Sequence, residues 1–190
     1  MKKIDIRFIT LLTIIFAAAF SRIIPHPPNF SPMEAITLFA AAHFSRRWQA
    51  LLIPFVAMWL SSLFIDNVIY ASGKEKFLWV YPGFHWQYLS YVLIALIGFS
   101  LMRQQATALR VAAGGLSAAM LFFVLTNFGV WVDGSLYPQT VQGLIACYAA
   151  ALPFFRGTLM GLTLYLPVLF GGFHLLQKRY PLLRASRVAV

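Results

Sequence analysis

The sequence predicts an all-α, polytopic membrane protein with six transmembrane helices and both termini in the cytoplasm. Hydrophobic residues make up 61% of the 190 residues and charged residues only 11%, whereas soluble domains carry about 25% charged residues. The mean hydropathy is +0.77. The length fits one domain, so we treat residues 1–190 as a single transmembrane domain.

Six segments of the chain are candidates for the transmembrane helices, which need about 20 mostly apolar residues. The second segment is the shortest, so we expect flanking residues to lengthen it or surrounding protein to shelter it. Pro54 and Pro167 lie inside the third and sixth segments, where neighbouring groups can satisfy the freed backbone. The six segments are Ile6–Ile24, Met33–Phe44, Gln49–Ile65, Trp86–Met102, Leu109–Val132 and Phe154–Leu176.

The distribution of basic residues predicts the orientation. With six spans and the N-terminus inside, four basic residues lie outside, namely Arg22, Lys74, Lys76 and Arg156. Eleven lie inside: Lys2, Lys3, Arg7, Arg46, Arg47, Arg103, Arg110, Lys178, Arg179, Arg184 and Arg187. Excess Lys and Arg mark cytoplasmic loops. If the second segment does not span, the split weakens to six inside against nine outside, or nine against six with the orientation reversed. The net charge of +10 therefore reflects topology, and we expect no nucleic-acid partner.

Two connections on the outer side are long, Asp66–His85 and Asp133–Pro153. Within the second, Thr140–Leu152 has helical character but is short for a span, and we expect it to lie across the outer mouth. The first 21 residues also resemble a secretory signal. Asp5 and Arg7 interrupt its basic region and the apolar stretch continues, so we expect a retained first helix.

The run Arg22–Pro32, RIIPHPPNFSP, is the most distinctive polar segment. It holds an arginine, a histidine, an asparagine and four prolines between two apolar segments. Proline fixes φ and restricts the preceding residue, so the run is stiff. A stiff polar loop at a membrane mouth predicts a shaped site.

Charged groups at the predicted outer helix ends are the strongest candidates for a binding site, because ionisable groups in membranes usually face an interior or a wet cavity. Arg22 closes the first helix, Glu34 opens the second and Arg156 opens the sixth. Their alternative role is an ion pair or snorkelling to the interface. The complete set of predicted ligand-binding residues is Arg22, His26, Asn29, Glu34, Tyr81, Asn127, Trp131, Tyr148 and Arg156.

Other chemistry has little support. Asn127 has the structural alternative of a hydrogen bond between helices. The sequence holds no catalytic motif, so we expect no enzyme, and we expect no cofactor and no metal site. Cys147 is expected to be a small buried residue. The small residues Gly114, Gly115, Ala118 and Ala119 have helix-packing spacing, and we expect this stripe to pack within the chain.

Three blocks of the sequence carry a family resemblance. RIIPHPPNFSPMEAITLFAAAHF (Arg22–Phe44), LTNFGVWV (Leu125–Val132) and GLIACYAAALPFFRGTLMG (Gly143–Gly161) resemble a family of uncharacterised bacterial membrane proteins, a domain of unknown function. The resemblance covers nearly the whole chain and implies a multi-pass protein of the bacterial cytoplasmic (inner) membrane. It implies no activity.

More distantly, the size and six-helix layout resemble the substrate-binding (S) subunits of energy-coupling factor (ECF) transporters. That resemblance implies a vitamin or its precursor in an outward-facing pocket, and partnership with an energy-coupling membrane subunit and ATPases. It also implies that small residues of the first helix, Ala17, Ala18 and Ala19, dock the partner, and that Cys147 could meet a cobalt-containing ligand.

The functional prediction is a transport subunit that binds a small organic micronutrient from outside and aids its uptake, surrounded by membrane lipid. The alternative is a structural or assembly subunit of a membrane protein complex with no ligand of its own. A pocket lined by Arg22 and Arg156 would favour binding, and a fully paired outer mouth would favour assembly.

Overall fold

A computed structural model describes residues 5–70 and 76–184. These residues form helices and turns, with no strand among them. The predicted charge positions Lys2, Lys3, Lys74 and Arg187 lie outside the described residues. The helices are α1 (Ile6–Phe20), α2 (Met33–His43), α3 (Arg47–Phe64), α4 (Phe84–Leu101), α5 (Ala108–Asp133), α6 (Val141–Leu166) and α7 (Gly172–Arg179).

Local signals set several helix starts. The Asp5 carboxylate accepts a hydrogen bond from the backbone N–H of Phe8 and caps α1. Thr107 and Thr140 cap α5 and α6 in the same way, as short polar side chains do at helix starts. Wide turns of π-helix follow α3 (Ile65–Ile69) and α6 (Pro167–Gly171).

The helical segments alternate in direction, with α6 and α7 forming one final segment. Five stretches are long and apolar enough to cross a membrane: Ile6–Ile23, Arg47–Ile69, Phe84–Leu101, Ala108–Asp133 and Val141–Arg179. The first five predicted segments are confirmed as helices, with ends shifted by a few residues. We call the end where α1 meets α2 the proline end. The opposite end, the basic end, holds Arg7, Arg46, Arg47, Arg103, Arg110, Lys178, Arg179 and Arg184.

The short helix α2 lies at the centre of the bundle. Every residue from Met33 to Ala41 is buried, in contact with α1, α3, α4, α5 and α6. At about 1.5 Å per residue, α2 is only about 17 Å long, so surrounding protein shelters it. Of the two expectations for this segment, shelter by protein is the one that the structure shows.

The start predicted for the sixth segment, Phe154, is wrong. α6 begins at Val141 and continues through Pro153, because Thr140 supplies a cap and neighbouring groups can compensate for a proline in a membrane helix. The predicted separate helix Thr140–Leu152 is therefore the first half of α6 and does not lie across a mouth. Arg156 consequently lies well inside the helix and does not open it.

The small-residue stripe of α5 packs inside the chain, as expected. Gly114, Gly115, Ala118 and Ala119 are all buried. A side chain on Gly115 would clash with Leu166 of α6. On α1, Ala19 is buried, Ala18 is half-buried and only Ala17 is exposed, so the three alanines do not form a common outward face.

Candidate functional site

The proline loop, residues 24–32, lies below the ends of the longer helices. Arg22, at the end of α1, donates a hydrogen bond from Nη1 to Ser61 Oγ (3.0 Å). Ser61 is about 21 Å along α3 from Arg47, whereas the π turn that follows α3 ends more than 30 Å from Arg47. α1 itself is only about 22 Å long, and a hydrocarbon core is about 30 Å thick. The loop is thus recessed by roughly 10 Å relative to the end of α3.

The recessed loop turns sharply at Asn29. The backbone N–H of Phe30 donates to the carbonyl oxygen of Pro27 at 3.1 Å, and Asn29 has a φ of +59°. Proline followed by a residue of positive φ, which asparagine tolerates, is typical of a type II turn. His26 is exposed and its Nδ1 lies 2.9 Å from the carbonyl oxygen of Pro27. Asn29 therefore forms part of the turn, and His26 lies exposed beside it.

The loop rests directly on α6. The carbonyl oxygen of Pro28 takes the place of a β-carbon at Gly157, and the backbone of Ser31 does so at Gly161. Tyr165, one turn further on, hydrogen-bonds through Oη with Ser21 Oγ at 2.8 Å. The predictions missed these residues, although Gly157-x-x-x-Gly161 has the small-xxx-small spacing that signals close approach in membranes.

Arg156 lines a pocket against the loop. The pocket has a volume of about 310 Å³, at the lower end of the range for small-molecule sites. Arg156 is exposed and lies about 22 Å along α6 from Val141. No described residue forms an ion pair with it. The pocket lining consists of Pro27, Pro28, Pro153, Phe154, Arg156, Gly157 and Met160.

A second polar group lies inside the bundle behind the loop. Glu34 is only 1% exposed, and its Oε2 has no hydrogen-bond partner among the described residues. Arg22 points to α3, where it also donates to Ser62 Oγ at 3.3 Å. Within the described ranges, Arg22 and Glu34 do not form the ion pair that was one alternative role for these charged groups. The buried ring of Tyr91 lies within electrostatic range of both.

Tyr81 belongs to the same neighbourhood, since it lies within electrostatic range of Arg22 and Tyr91. Its Oη donates a hydrogen bond to Gln87 Oε1 at 2.5 Å. Burial, as the main cause, raises the pKa of the Tyr81 phenol well above its ordinary value, because a charged phenolate is poorly solvated there.

Three predicted site residues lie on the α5–α6 hairpin, apart from both the pocket and the buried group around Glu34. Asn127 Nδ2 donates to the carbonyl oxygen of Phe123 at 2.7 Å, so its side-chain bond lies within α5 and does not link two helices. Tyr148 Oη donates to the carbonyl oxygen of Val124 at 2.7 Å. Trp131 Nε1 donates to that of Pro138 at 3.0 Å. Cys147, which is buried, lies beside this group.

The predicted site residues therefore fall into three groups. His26, Asn29 and Arg156 lie at the pocket or its loop, Arg22, Glu34 and Tyr81 lie inside the bundle, and Asn127, Trp131 and Tyr148 lie on the hairpin. Arg22, Glu34 and Arg156 share a level but face different directions, and the pocket is lined by Arg156 without the other two. Among residues 5–70 and 76–184, no cluster of three His, Cys, Asp or Glu side chains could hold a metal ion.

Comparison with known proteins places the chain in a family without assigning an activity. No curated protein and no solved structure matches it. One family model does match, over residues 2–183, which is nearly the whole length. The chain belongs to DUF6580, a family of unknown function.

Proposed function

We propose that this protein is a membrane transport subunit that binds a small organic micronutrient bearing an anionic group and aids its uptake. The observation that carries the proposal is Arg156, which lines the pocket under the proline loop. Arg156 interrupts an apolar helical stretch of 39 residues, Val141–Arg179. A charge at such a depth is costly and typically faces a ligand or a wet cavity.

The walls of the pocket support recognition of a defined shape. Pro27 and Pro28 form one side and Pro153 with Phe154 the other. These prolines have restricted backbones, so little entropy is lost when a ligand is bound. A guanidinium beside apolar walls suits a carboxylate or phosphate on an otherwise apolar molecule.

The buried carboxyl group of Glu34 supports a role in ligand binding for the interior of the bundle as well. An unsatisfied buried polar group in a native structure needs an explanation, and Glu34 follows the loop directly. We assign the first contact with the ligand to Arg156, and we propose that Glu34 Oε2, which has no hydrogen-bond partner among the described residues, gains one as the ligand passes the loop.

The orientation follows from charge. The basic end holds most of the described Lys and Arg residues, whereas the proline end holds Arg22, Lys76 and Arg156. By the positive-inside rule, the basic end faces the cytoplasm of a bacterial inner membrane and the pocket faces outward. With α2 sheltered as a sixth crossing, both termini are cytoplasmic.

Energy for transport would come from a partner, as in the ECF transporters that the layout resembles. An energy-coupling membrane subunit with ATPases is the partner that this fold-level analogy supplies. On α1, Thr13 and Ala17 are exposed one turn apart, and these two residues are the docking surface that we propose.

Native mass spectrometry of the protein, extracted gently from its own membrane, tests the proposal. We expect the wild type to retain a small anionic molecule that Arg156→Ala loses. Arg46→Ala is the matched control, because Arg46 is also exposed but lies at the basic end. Retention of the molecule by Arg156→Ala, or its loss from both variants alike, would contradict the proposal.

A second function, an assembly subunit without a ligand, is favoured by the paired polar groups of the proline end. Asp133 Oδ2 accepts hydrogen bonds from Trp86 Nε1 (2.6 Å) and His85 Nε2 (2.9 Å), which joins α4 to α5. Beyond the loop, the first half of α6 exposes Val141, Ile145 and Leu152. An empty protein that carries a stoichiometric protein partner in the same mass spectrum would support this function.

A further inference from the structure

A second cavity lies at the opposite end of the bundle from the Arg156 pocket. It has a volume of about 930 Å³ and is lined by α5, α6, the π turn and α7. Its walls are mainly apolar, with Val111, Leu162, Leu166 and Phe170 among them. It is independent of the function proposed above, which concerns the proline end.

The wide turn Pro167–Gly171 gives the cavity its room. A π turn offsets the helix by one residue and is frequent at functional sites. Gly171 lines the cavity, and a β-carbon on it would meet nothing within 4 Å. Gly172 is equally open by the same measure but does not line the cavity. The adjacent glycines therefore differ mainly in the direction that they face.

Polar side chains enter the cavity from the basic end. His43 lines it, and the Nε2 atom of this histidine is buried without a hydrogen-bond partner among the described residues. The His43 ring is held between Phe39 and Phe173, with centroids 4.5 and 4.8 Å away. Thr163 of α6 and His174 and Gln177 of α7 are further polar residues of the lining. The cavity thus has apolar walls and a polar mouth.

The charge around this mouth is positive. Lys178 lies four residues after His174 and therefore on the same face of α7, and Arg179 follows it in the last turn. Of the described acidic residues, Asp5 alone lies at this end, where it caps α1. A bound group at the mouth would be anionic by charge complementarity.

We propose that this cavity is a binding site for an anionic membrane lipid. An acyl chain lies along Gly115, Leu162 and Leu166, and the phosphate lies at His174 within reach of Lys178. An acyl chain in the cavity packs against its apolar walls, and the basic rim selects the headgroup, as basic pockets between helices on the cytoplasmic side do.

The test uses the purified full-length protein, stripped of lipid in detergent and titrated with phosphatidylglycerol or with phosphatidylcholine of the same acyl chains. Native mass spectrometry counts the bound lipids. We expect one tightly bound phosphatidylglycerol, with phosphatidylcholine weaker by about tenfold or more. Equal binding of the two lipids would overturn the proposal, as would an empty wild-type protein.

Two pairs of variants locate the site. Gly171→Leu adds a side chain at the cavity lining, where its β-carbon meets nothing within 4 Å, and is expected to weaken phosphatidylglycerol binding by about tenfold, whereas Gly172→Leu leaves it unchanged. Lys178→Glu removes the headgroup preference, and Arg46→Glu, the same charge change at the same end on α3, does not. Thermal unfolding of each variant identifies any loss of fold. Equal effects within either pair of folded variants would overturn the proposal.

Discussion

The carbonyl oxygen of Pro28 occupies the space that a β-carbon on Gly157 would need. This contact seats the proline loop on α6 and places Arg156 beside the loop. It also explains a glycine in the middle of a long helix, where glycine is otherwise unfavourable by about 1 kcal/mol relative to alanine.

Gly157→Ala is expected to lower the free energy of unfolding by about 1–3 kcal/mol, because the added methyl group must displace the loop backbone. Gly172→Ala is the control, since a β-carbon there meets nothing within 4 Å. Thermal unfolding in one detergent compares the two. Similar midpoints would show that the loop moves away from α6 without cost.

Glu34→Met is expected to raise the free energy of unfolding by about 1–4 kcal/mol, since it replaces a buried carboxyl group, whose Oε2 has no hydrogen-bond partner among the described residues, by an apolar side chain of similar length. Thr37→Val, one turn further along α2, is the control. The Thr37 hydroxyl donates to the carbonyl oxygen of Met33 at 2.8 Å, so its removal should bring no gain. Chemical or thermal unfolding measures both, and a destabilised Glu34→Met would mean that Oε2 also has a partner.

Arg22 is expected to be coupled energetically to Ser61. Because the guanidinium donates to Ser61 Oγ, Arg22→Ala and Ser61→Ala should be non-additive by about 0.5–3 kcal/mol in a double-mutant cycle. The same cycle with Ser100→Ala is the control, because Ser100 bonds only within α4. Additive effects in the Arg22–Ser61 cycle would place the guanidinium elsewhere.

Tyr81 is expected to make stability depend on alkaline pH. The folded protein raises the pKa of this phenol, so the neutral form is favoured in the folded state. Its contribution is complete below about pH 10, the ordinary pKa of tyrosine, and is lost as the pH rises above it. Unfolding midpoints between pH 8 and 11 should fall less for Tyr81→Phe than for the wild type. Tyr70→Phe, at an exposed position, is the control and should follow the wild type.

The orientation is testable with single cysteines in a Cys147→Ala background. We expect Ser135→Cys, between α5 and α6, to react with a membrane-impermeant maleimide added to intact cells. Ala106→Cys, between α4 and α5, should react only after lysis, because it lies at the basic end. The reverse labelling pattern would place the basic end outside and would contradict the proposed N-in topology.

Much of the helix pattern was accessible from local signals. Met33–Phe44 differs from α2 by a single residue, because the preceding prolines end one segment and a compact apolar run begins at Met33. The wrong start predicted for α6, at Phe154, also came from local signals. Pro153 and the charge of Arg156 resemble the start of a helix, and only packing against neighbours shows that Val141–Leu166 is continuous.

The candidate site was predictable in part. The density of proline and polar residues marked the loop, and Asn29 after Pro28 is a turn signal. The contact of the proline loop with Gly157 and Gly161 was missed, although the spacing of these two glycines signals close packing. No sequence signal indicates that Arg156 and Glu34 face different directions, because side-chain direction depends on how α2 and α6 are rotated against each other.

The sequence by itself determined that this is a helical membrane protein with a stiff polar loop. Composition, the length of apolar runs and the placement of basic residues are local properties of the chain, so they do not depend on how the helices pack. Tertiary structure alone decided the depth of that loop, the burial of Glu34 inside the bundle and the cavity beside His174. The physical reason is that depth, burial and open volume arise from the packing of helices distant in sequence, where a single glycine sets how closely two backbones approach.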